Sequence, residues 1–383
     1  MLVLCLLLIP VAFAISAPLC AALVGIGHRM RTFDGGGVAG QIKEAPRRVP
    51  NTGGVAIFAA IAGPLLAVVL LAAFTPQVFP SAALGTLSFV TQKAELALVL
   101  LTSLLLLHLL GLVDDRKPLP AWPKLVLQVL PAIAVPLWTD TRLLTLIDPH
   151  VGGPWLSILI TVAWFIVVTN AINFLDNMDG LSAGLSAIAA GAMLVITLEK
   201  RQWLIAGCLA LLIGGCLGFL LFNAPRRGGA KLFMGDSGSL VLGFVLAFAS
   251  VRITYFDPGS PQGSHAHAVL MPLVVLAVPI YDCTVITLVR LWNGKSPLVG
   301  DLNHASHRLV RRGMSRAGAV YLLWGMGVLS GIAGLALTRS EPAVAMAIGA
   351  GTVAMLGVLA FLEYASRGSM APTLPERSIG GGT

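Results

Sequence analysis

Two adjacent carboxylates, Asp114 and Asp115, close the run at 104–113, apolar but for His108, and precede Arg116-Lys117-Pro118. A solvated helix end accounts for such a pair, but two like charges held close also make a base or share a divalent cation. A second cluster reads Asn170-Ala-Ile-Asn173-Phe-Leu-Asp176-Asn177-Met-Asp179-Gly180-Leu181. Its polar groups recur every three to four residues, which turns them to one face of a helix end. A helix cap explains Asp179 alone and leaves the others unexplained. The third cluster runs from Asn223 through Pro225-Arg226-Arg227 and Lys231 to Phe233-Met-Gly235-Asp236-Ser237-Gly238-Ser239. Glycine-rich backbone ahead of a helix N-terminus suits a phosphate, and Asp236 beside it suits Mg²⁺. Phe233 reads as a membrane-interface aromatic or as a platform for a base. The fourth, Asp301-Leu-Asn-His304-Ala305-Ser306-His307-Arg308 with Arg311 and Arg312, sets two histidines among arginines. Those cations repel a metal and attract a diphosphate.

The elements that must position these residues are membrane helices. The chain is 57% hydrophobic and 11% charged, against about 25% charged in an ordinary soluble domain. With about 20 apolar residues per crossing, spans fall near 3–27, 53–74, 94–113, 122–138, 155–173, 180–198, 203–222, 238–254, 268–291, 317–338 and 342–363. This is an all-α, polytopic integral membrane protein with about eleven transmembrane helices. It forms one transmembrane domain over 1–363, and the tail at 364–383 holds little that packs, so it is expected to be disordered. The count puts all four polar clusters on one face of the membrane. Nineteen Lys and Arg lie on that face against six on the other. The positive-inside rule therefore makes it cytoplasmic, with the N-terminus outside and the C-terminus inside, in the cytoplasmic (inner) membrane.

Several function classes drop out. The net charge of +8 is spread over short juxtamembrane loops, which fits topology and anionic lipid and not a nucleic-acid stripe. The first apolar stretch has its basic residues after it, the reverse of a signal peptide. Cys5, Cys20, Cys208, Cys216 and Cys283 lie inside apolar spans with no Cys-x-x-Cys pair, so neither a disulfide framework nor a zinc site is expected. Gly235-Asp236-Ser237-Gly238 matches the nucleophile motif of chymotrypsin-like proteases, but it lies between membrane helices and not in a β-barrel. A membrane transporter stays as the alternative from another class, although it would set its polar groups near the midplane of broken helices, whereas these lie at helix ends. A metal, a phosphate-binding turn, an Arg/His clamp and a candidate base on one face fit phosphoryl transfer.

At these residues the chain resembles the polyprenyl-phosphate N-acetylhexosamine-1-phosphate transferases. The likeness runs from Pro50-Asn-Thr-Gly53-Gly54 through Asp114-Asp115, the 173–181 motif and the 233–239 motif to His304–His307. It implies transfer of a sugar 1-phosphate, GlcNAc-1-phosphate in the favoured branch, from a UDP-activated amino sugar to undecaprenyl phosphate. UMP would leave, and the product would start a lipid-linked cell-envelope glycan. By the same resemblance Asp236 is the main ligand of Mg²⁺, or of Mn²⁺ in its place. Phe233 stacks on uracil, and Asn223 and Asp179 line the nucleotide site. Asp114 or Asp115 deprotonates or orients the lipid phosphate, and Asp176 and Asn173 complete the polar floor. His304, His307 and Arg308 hold the diphosphate or the sugar, and Arg47 and Arg48 contribute from the first cytoplasmic loop. No nucleic acid is implied, and the oligomeric state stays open, a homodimer included.

The chain departs from the family pattern at three places. Asn177 stands where Asp-Gly-x-Asp-Gly has its first glycine. His304-Ala305-Ser306-His307 replaces the three consecutive histidines of the peptidoglycan translocases and the His-x-His-His common in the GlcNAc branch. Ala45-Pro46 stands where a histidine is common. Ser306 points away from the phospho-MurNAc-pentapeptide translocase, which remains the alternative within the family.

Overall fold

The computed structural model describes residues 1–33, 47–74, 92–226, 228–254, 269–296 and 302–364. The expected disordered tail from 365 onward, the Ala45-Pro46 departure, Arg227 and Asp301 lie outside these residues. Among the described residues the regular secondary structure is all helix, apart from two isolated bridges. Ten helices among the described residues are long and apolar enough to cross a membrane. They are α1 (Leu2–Met30), α2 (Gly53–Phe74), α3 (Ala94–Arg116), α4 (Ala121–Thr139), α5 (Trp155–Phe174), α6 (Leu181–Glu199), α7 (Trp203–Asn223) and α8 (Asp236–Ile253). After a broken segment and the short α11 (Ala305–Arg311) come α12 (Arg316–Leu337) and α13 (Pro342–Tyr364).

The broken segment is the ninth of the expected spans. It divides into α9 (Met271–Val275) and α10 (Ala277–Trp292), with Leu276 between them, so ten continuous spans and one interrupted one replace the eleven read from the sequence. Pro279 is the cause: it has no N–H to give the carbonyl four residues earlier, that of Val275. Ser330 Oγ of α12 donates to that carbonyl instead, at 3.3 Å, as a membrane interior requires for a freed backbone group.

Helix α8 is the hub. It packs on α2, α3, α5, α6 and α7, and every residue from 237 to 251 is buried. Its apolar residues therefore circle the whole helix instead of forming a stripe. Gly243 lets α5 approach closely: a Cβ there would lie 2.7 Å from Thr169 Cα. Helix α1 packs on α2 and α7, α12 covers α6 and α9, and α13 lies outermost against α10, α11 and α12.

The two ends of the bundle carry different polar residues. At one end Lys200 Nζ donates to Ile253 O (2.8 Å) and Arg142 pairs with Asp140 and Asp148 (2.8 and 2.5 Å). The other end gathers the C-termini of α3, α5 and α7 with the N-termini of α6, α8 and α11, and all four polar clusters lie there.

Candidate active site

The site is built around the first turn of α8. Gly235 precedes it with φ +69, a left-handed conformation that glycine adopts without penalty. A Cβ there would lie 2.5 Å from both Asn51 Oδ1 and Asp115 Oδ2, so the position is closed to a side chain on two counts. The free N–H groups of this helix end meet Asp115. Its Oδ1 accepts from the Asp236 N–H (2.8 Å) and from Asn51 Nδ2 (3.2 Å), and its Oδ2 from the Ser237 N–H (3.2 Å). Asp115 thus caps α8 from α3, an arrangement favoured by both the orphan donors and the helix dipole.

Asp114 has different surroundings. Its Oδ1 accepts from the Leu119 N–H (2.8 Å) and its Oδ2 from Lys124 Nζ (3.1 Å). Lys124 Nζ also contacts Asp236 Oδ2, so one ammonium bridges the two carboxylates. On its other side Asp236 accepts from Asn173 Nδ2 (3.0 Å), which also donates to Ser239 Oγ (2.8 Å). The four residues come from α3, α4, α5 and α8. No group of three or more His, Cys, Asp or Glu suited to a metal occurs among the described residues. Two carboxylates sharing one cation are nonetheless what Mg²⁺ needs, since it binds through one or two carboxylates, waters and substrate phosphates. The Lys124 ammonium stands where such an ion would sit, and on this ground the residues fit a hard divalent cation.

A second group forms beside it, where the chain segment at 47–52 runs alongside residues 231–235. The Phe233 N–H donates to Pro50 O and the Gly53 N–H to Phe233 O, both at 2.8 Å. Arg47 grips Asp179 through two nitrogens (2.9 and 2.5 Å), and its guanidinium lies over the Phe233 ring, 4.7 Å from the centroid. Asp179 also accepts from the Ala230 N–H (2.9 Å). Arg48 is exposed next to it. Asn223, 4% exposed, spends its amide on backbone, accepting from the Gly180 N–H (2.7 Å) and donating to Leu232 O (2.8 Å). It pins the Gly180 turn to the Phe233 segment.

The third group is the histidine helix, α11. His304 Nδ1 bonds Asp282 Oδ2 at 2.7 Å, and Asp282 Oδ1 accepts from the Ala305 N–H at 2.6 Å. Asp282 therefore caps α11 and fixes the ring of His304, as a carboxylate behind a histidine does. The His304 and His307 rings lie 6.3 Å apart, and Phe174 at the end of α5 touches His304 edge-on at 6.2 Å. Arg290, 1% exposed, lies over the other part of this group with its guanidinium 5.4 Å from the Phe174 centroid. Ser306 Oγ donates to Asn177 Oδ1 at 2.6 Å and joins α11 to the Asp176/Asp179 turn.

Arg308, expected to hold the diphosphate or the sugar, is bonded to the outermost helix. Its Nε and Nη2 both reach Glu363 Oε2 (2.8 and 2.7 Å) near the end of α13, in a pair where Arg308 is 6% and Glu363 2% exposed. A buried carboxylate on the outermost helix needs a cation, and Arg308 supplies it. The structure therefore assigns Arg308 to holding α11 against α13.

Asp114, Asp115, Asn173, Asp179, Phe233, Asp236, Arg47, His304 and His307 thus come together in one linked network, with Asp176 on the turn between Asn173 and Asp179. The sequence reading missed Lys124, Asn51, Asp282, Arg290 and Glu363. Lys124 lies at the edge of the apolar run 122–138, and Asp282 and Glu363 sit inside apolar runs.

Residues 96–254 match glycosyl transferase family 4, a stretch that takes in the clusters from Asp114 to Asp236. Over 295 residues the chain is 34% identical to the decaprenyl-phosphate N-acetylglucosaminephosphotransferase of Mycolicibacterium smegmatis, covering 72% of this chain and 68% of that one. It is 32% identical over 231 residues to a probable undecaprenyl-phosphate N-acetylglucosaminyl 1-phosphate transferase of Bacillus subtilis, covering 60% of this chain and 62% of that relative's length. A phospho-N-acetylmuramoyl-pentapeptide-transferase of Levilactobacillus brevis is 27% identical over 252 residues, 62% of this chain and 73% of its own. The chain belongs to glycosyl transferase family 4, nearer to the polyprenyl-phosphate N-acetylglucosamine-1-phosphate transferases than to the pentapeptide transferases.

Proposed function

We propose that this protein transfers GlcNAc-1-phosphate from UDP-GlcNAc to a polyprenyl phosphate on the cytoplasmic face of the membrane, releasing UMP and starting a lipid-linked cell-envelope glycan. The observation that carries the reading is the Lys124 ammonium held between Asp114 and Asp236 at the N-terminus of α8. It marks one spot, at a helix dipole's positive end, where carboxylates from two helices hold a cation and a diphosphate could reach it. Mg²⁺ bound there would neutralise the diphosphate and make its phosphorus more electrophilic.

In this reading an oxygen of the lipid phosphate attacks the phosphorus bonded to the sugar. The P–O bond to the nucleotide breaks, and its electron pair leaves on UMP. Asp236 would hold the metal, and Asn173 fixes the Asp236 carboxylate. Asp114 is the carboxylate that meets the lipid phosphate, because Asp115 is occupied by three N–H donors. Phe233 and Arg47 take the uracil from two sides once Arg47 loosens from the ring, and Asp179 orients Arg47. His304, its ring fixed by Asp282, and His307 face the diphosphate or the sugar. The residues do little covalent work; positioning and charge neutralisation supply the rate.

The test is transfer of label. Membranes containing the protein are incubated with radiolabelled UDP-GlcNAc, polyprenyl phosphate and Mg²⁺, and lipid is extracted. Label should enter lipid with UMP as co-product, and it should be lost in Asp236→Ala. No label from any UDP-amino sugar, or undiminished labelling in that variant, sinks the proposal. Preference for UDP-MurNAc-pentapeptide would replace it with the translocase reading.

A further inference from the structure

Asn177 and Ser306 are 129 residues apart in the chain and bonded to each other at 2.6 Å. The bond has a defined sense. Asn177 Nδ2 donates to Phe174 O at 2.7 Å, one of the carbonyls that the C-terminus of α5 leaves without a helical partner. A flipped amide would set two acceptors face to face, so Oδ1 is the atom turned toward α11. An amide oxygen carries no hydrogen, hence the Ser306 hydroxyl donates. Ser306 is 1% exposed, and a hydroxyl buried that deeply needs this partner.

The neighbours of the pair give the bond its meaning. Asn177 lies between Asp176 and Asp179, and Ser306 lies between His304 and His307. Phe174, whose carbonyl anchors Asn177, also sets its ring against His304. One side-chain bridge therefore fixes the histidine helix on the acidic turn. The same two positions are two of the three where the chain departs from the pattern it otherwise resembles, with asparagine in place of glycine and serine in place of histidine. The exchange keeps the number of side-chain heavy atoms across the interface and moves them from one side to the other.

We infer that Asn177 and Ser306 are a coupled positioning pair: their hydrogen bond sets His304 and His307 against the Asp176/Asp179 turn, in a two-histidine version of the site where the pair fills the place of a third imidazole. The inference rests on the transferase reading, in which the histidines meet the diphosphate or sugar of the donor. It assigns the pair no contact with the reacting atoms.

The experiment is a double-mutant cycle with a swap. Ser306→Ala, Asn177→Gly, the two combined, Ser306→His, and Asn177→Gly with Ser306→His are purified in detergent. Donor and acceptor KM and kcat are measured, and UDP-GlcNAc binding is followed by calorimetry without lipid acceptor. Loss of one buried hydrogen bond predicts a donor KM and Kd about five- to tenfold higher in each single truncation. Acceptor KM should be unchanged and kcat should stay within about twofold. The double truncation should be no worse than either single one, because both remove the same bond. Ser306→His alone should be the worst variant, and adding Asn177→Gly should restore donor binding. Additive single effects, equal losses for donor and acceptor, or a swap no better than Ser306→His overturn the inference. A wild type that binds UDP-GlcNAc but labels no lipid sinks the transferase reading while the calorimetric cycle still decides the pair. A wild type that neither binds nor transfers sinks both.

Discussion

Replacing Asp115 by asparagine should cost far more stability than replacing Asp114, although the two residues are adjacent and look alike in the sequence. Asp115 accepts three N–H donors, from Asp236, Ser237 and Asn51, at 2.8, 3.2 and 3.2 Å. An asparagine keeps one acceptor oxygen and turns an NH₂ group toward donors that had met the other. A buried donor left without a partner costs about 1–3 kcal/mol. Misdirection of one bond therefore destabilises by about 1–3 kcal/mol. Asp114→Asn can keep the Leu119 N–H bond through its amide oxygen and gives up only a partly exposed pairing with Lys124, worth about 0–1 kcal/mol. The assay is reversible unfolding of the purified protein in mixed micelles of rising SDS fraction, with label transfer measured on the same preparations. Asp114→Asn should unfold close to wild type and transfer no label. Asp115→Asn should unfold at a much lower SDS fraction. Equal stability of the two variants, or a less stable Asp114→Asn, would refute the assignment of Asp115 as the cap of α8.

Lys124→Met should bind Mn²⁺ on the order of tenfold more tightly in the absence of substrate, read by the loss of free-ion paramagnetic signal, because the competing ammonium is gone; unchanged affinity would show that Lys124 does not hold the ion's place. Asn173→Ala, which frees Asp236 Oδ1 and Ser239 Oγ, should raise the Mg²⁺ concentration needed for half-maximal transfer by about 10–100-fold, and a curve unmoved by the substitution would separate Asn173 from Asp236. Arg308→Ala should destabilise by about 3–5 kcal/mol by stranding Glu363, whereas Arg308→Met with Glu363→Leu should recover most of that loss; both are read by SDS unfolding, and a double variant as unstable as the single one would count against the pair as the source of the cost.

Much of the site was legible because polar residues in an apolar chain are few and their spacing is helical. Asn173 lies in the last turn of α5, while Asp176 and Asp179 lie on the turn beyond it and not on one helix face, and Gly235-Asp236 announced a helix start that the structure bears out. Choosing between Asp114 and Asp115 was beyond the sequence, since neighbours on a helix point about 100° apart and only the position of α8 decides which meets it. Lys124 was hidden for a similar reason: its distance to Asp236 depends on how α4 leans on α3. Asp282, Arg290 and Glu363 were hidden in apolar runs, where a hydropathy count averages one charge away. The break at Leu276 also escaped, because Pro279 interrupts the hydrogen-bond ladder without interrupting the apolar composition.

The cap on α8 has a consequence for biosynthesis. Asp115 and the N–H it accepts from Asp236 are 121 positions apart in the chain. At roughly 5–20 residues per second of synthesis, α3 waits about 6–25 s in the bilayer before its carboxylate meets the backbone it is shaped for. Over that interval α4 through α7 are inserted around an empty slot whose walls include Gly54 and Gly111. The most buried helix of the protein is thus also a late arrival. A newborn chain that stalls or is cut before residue 236 holds most of the scaffold and lacks the helix end around which the centre is built.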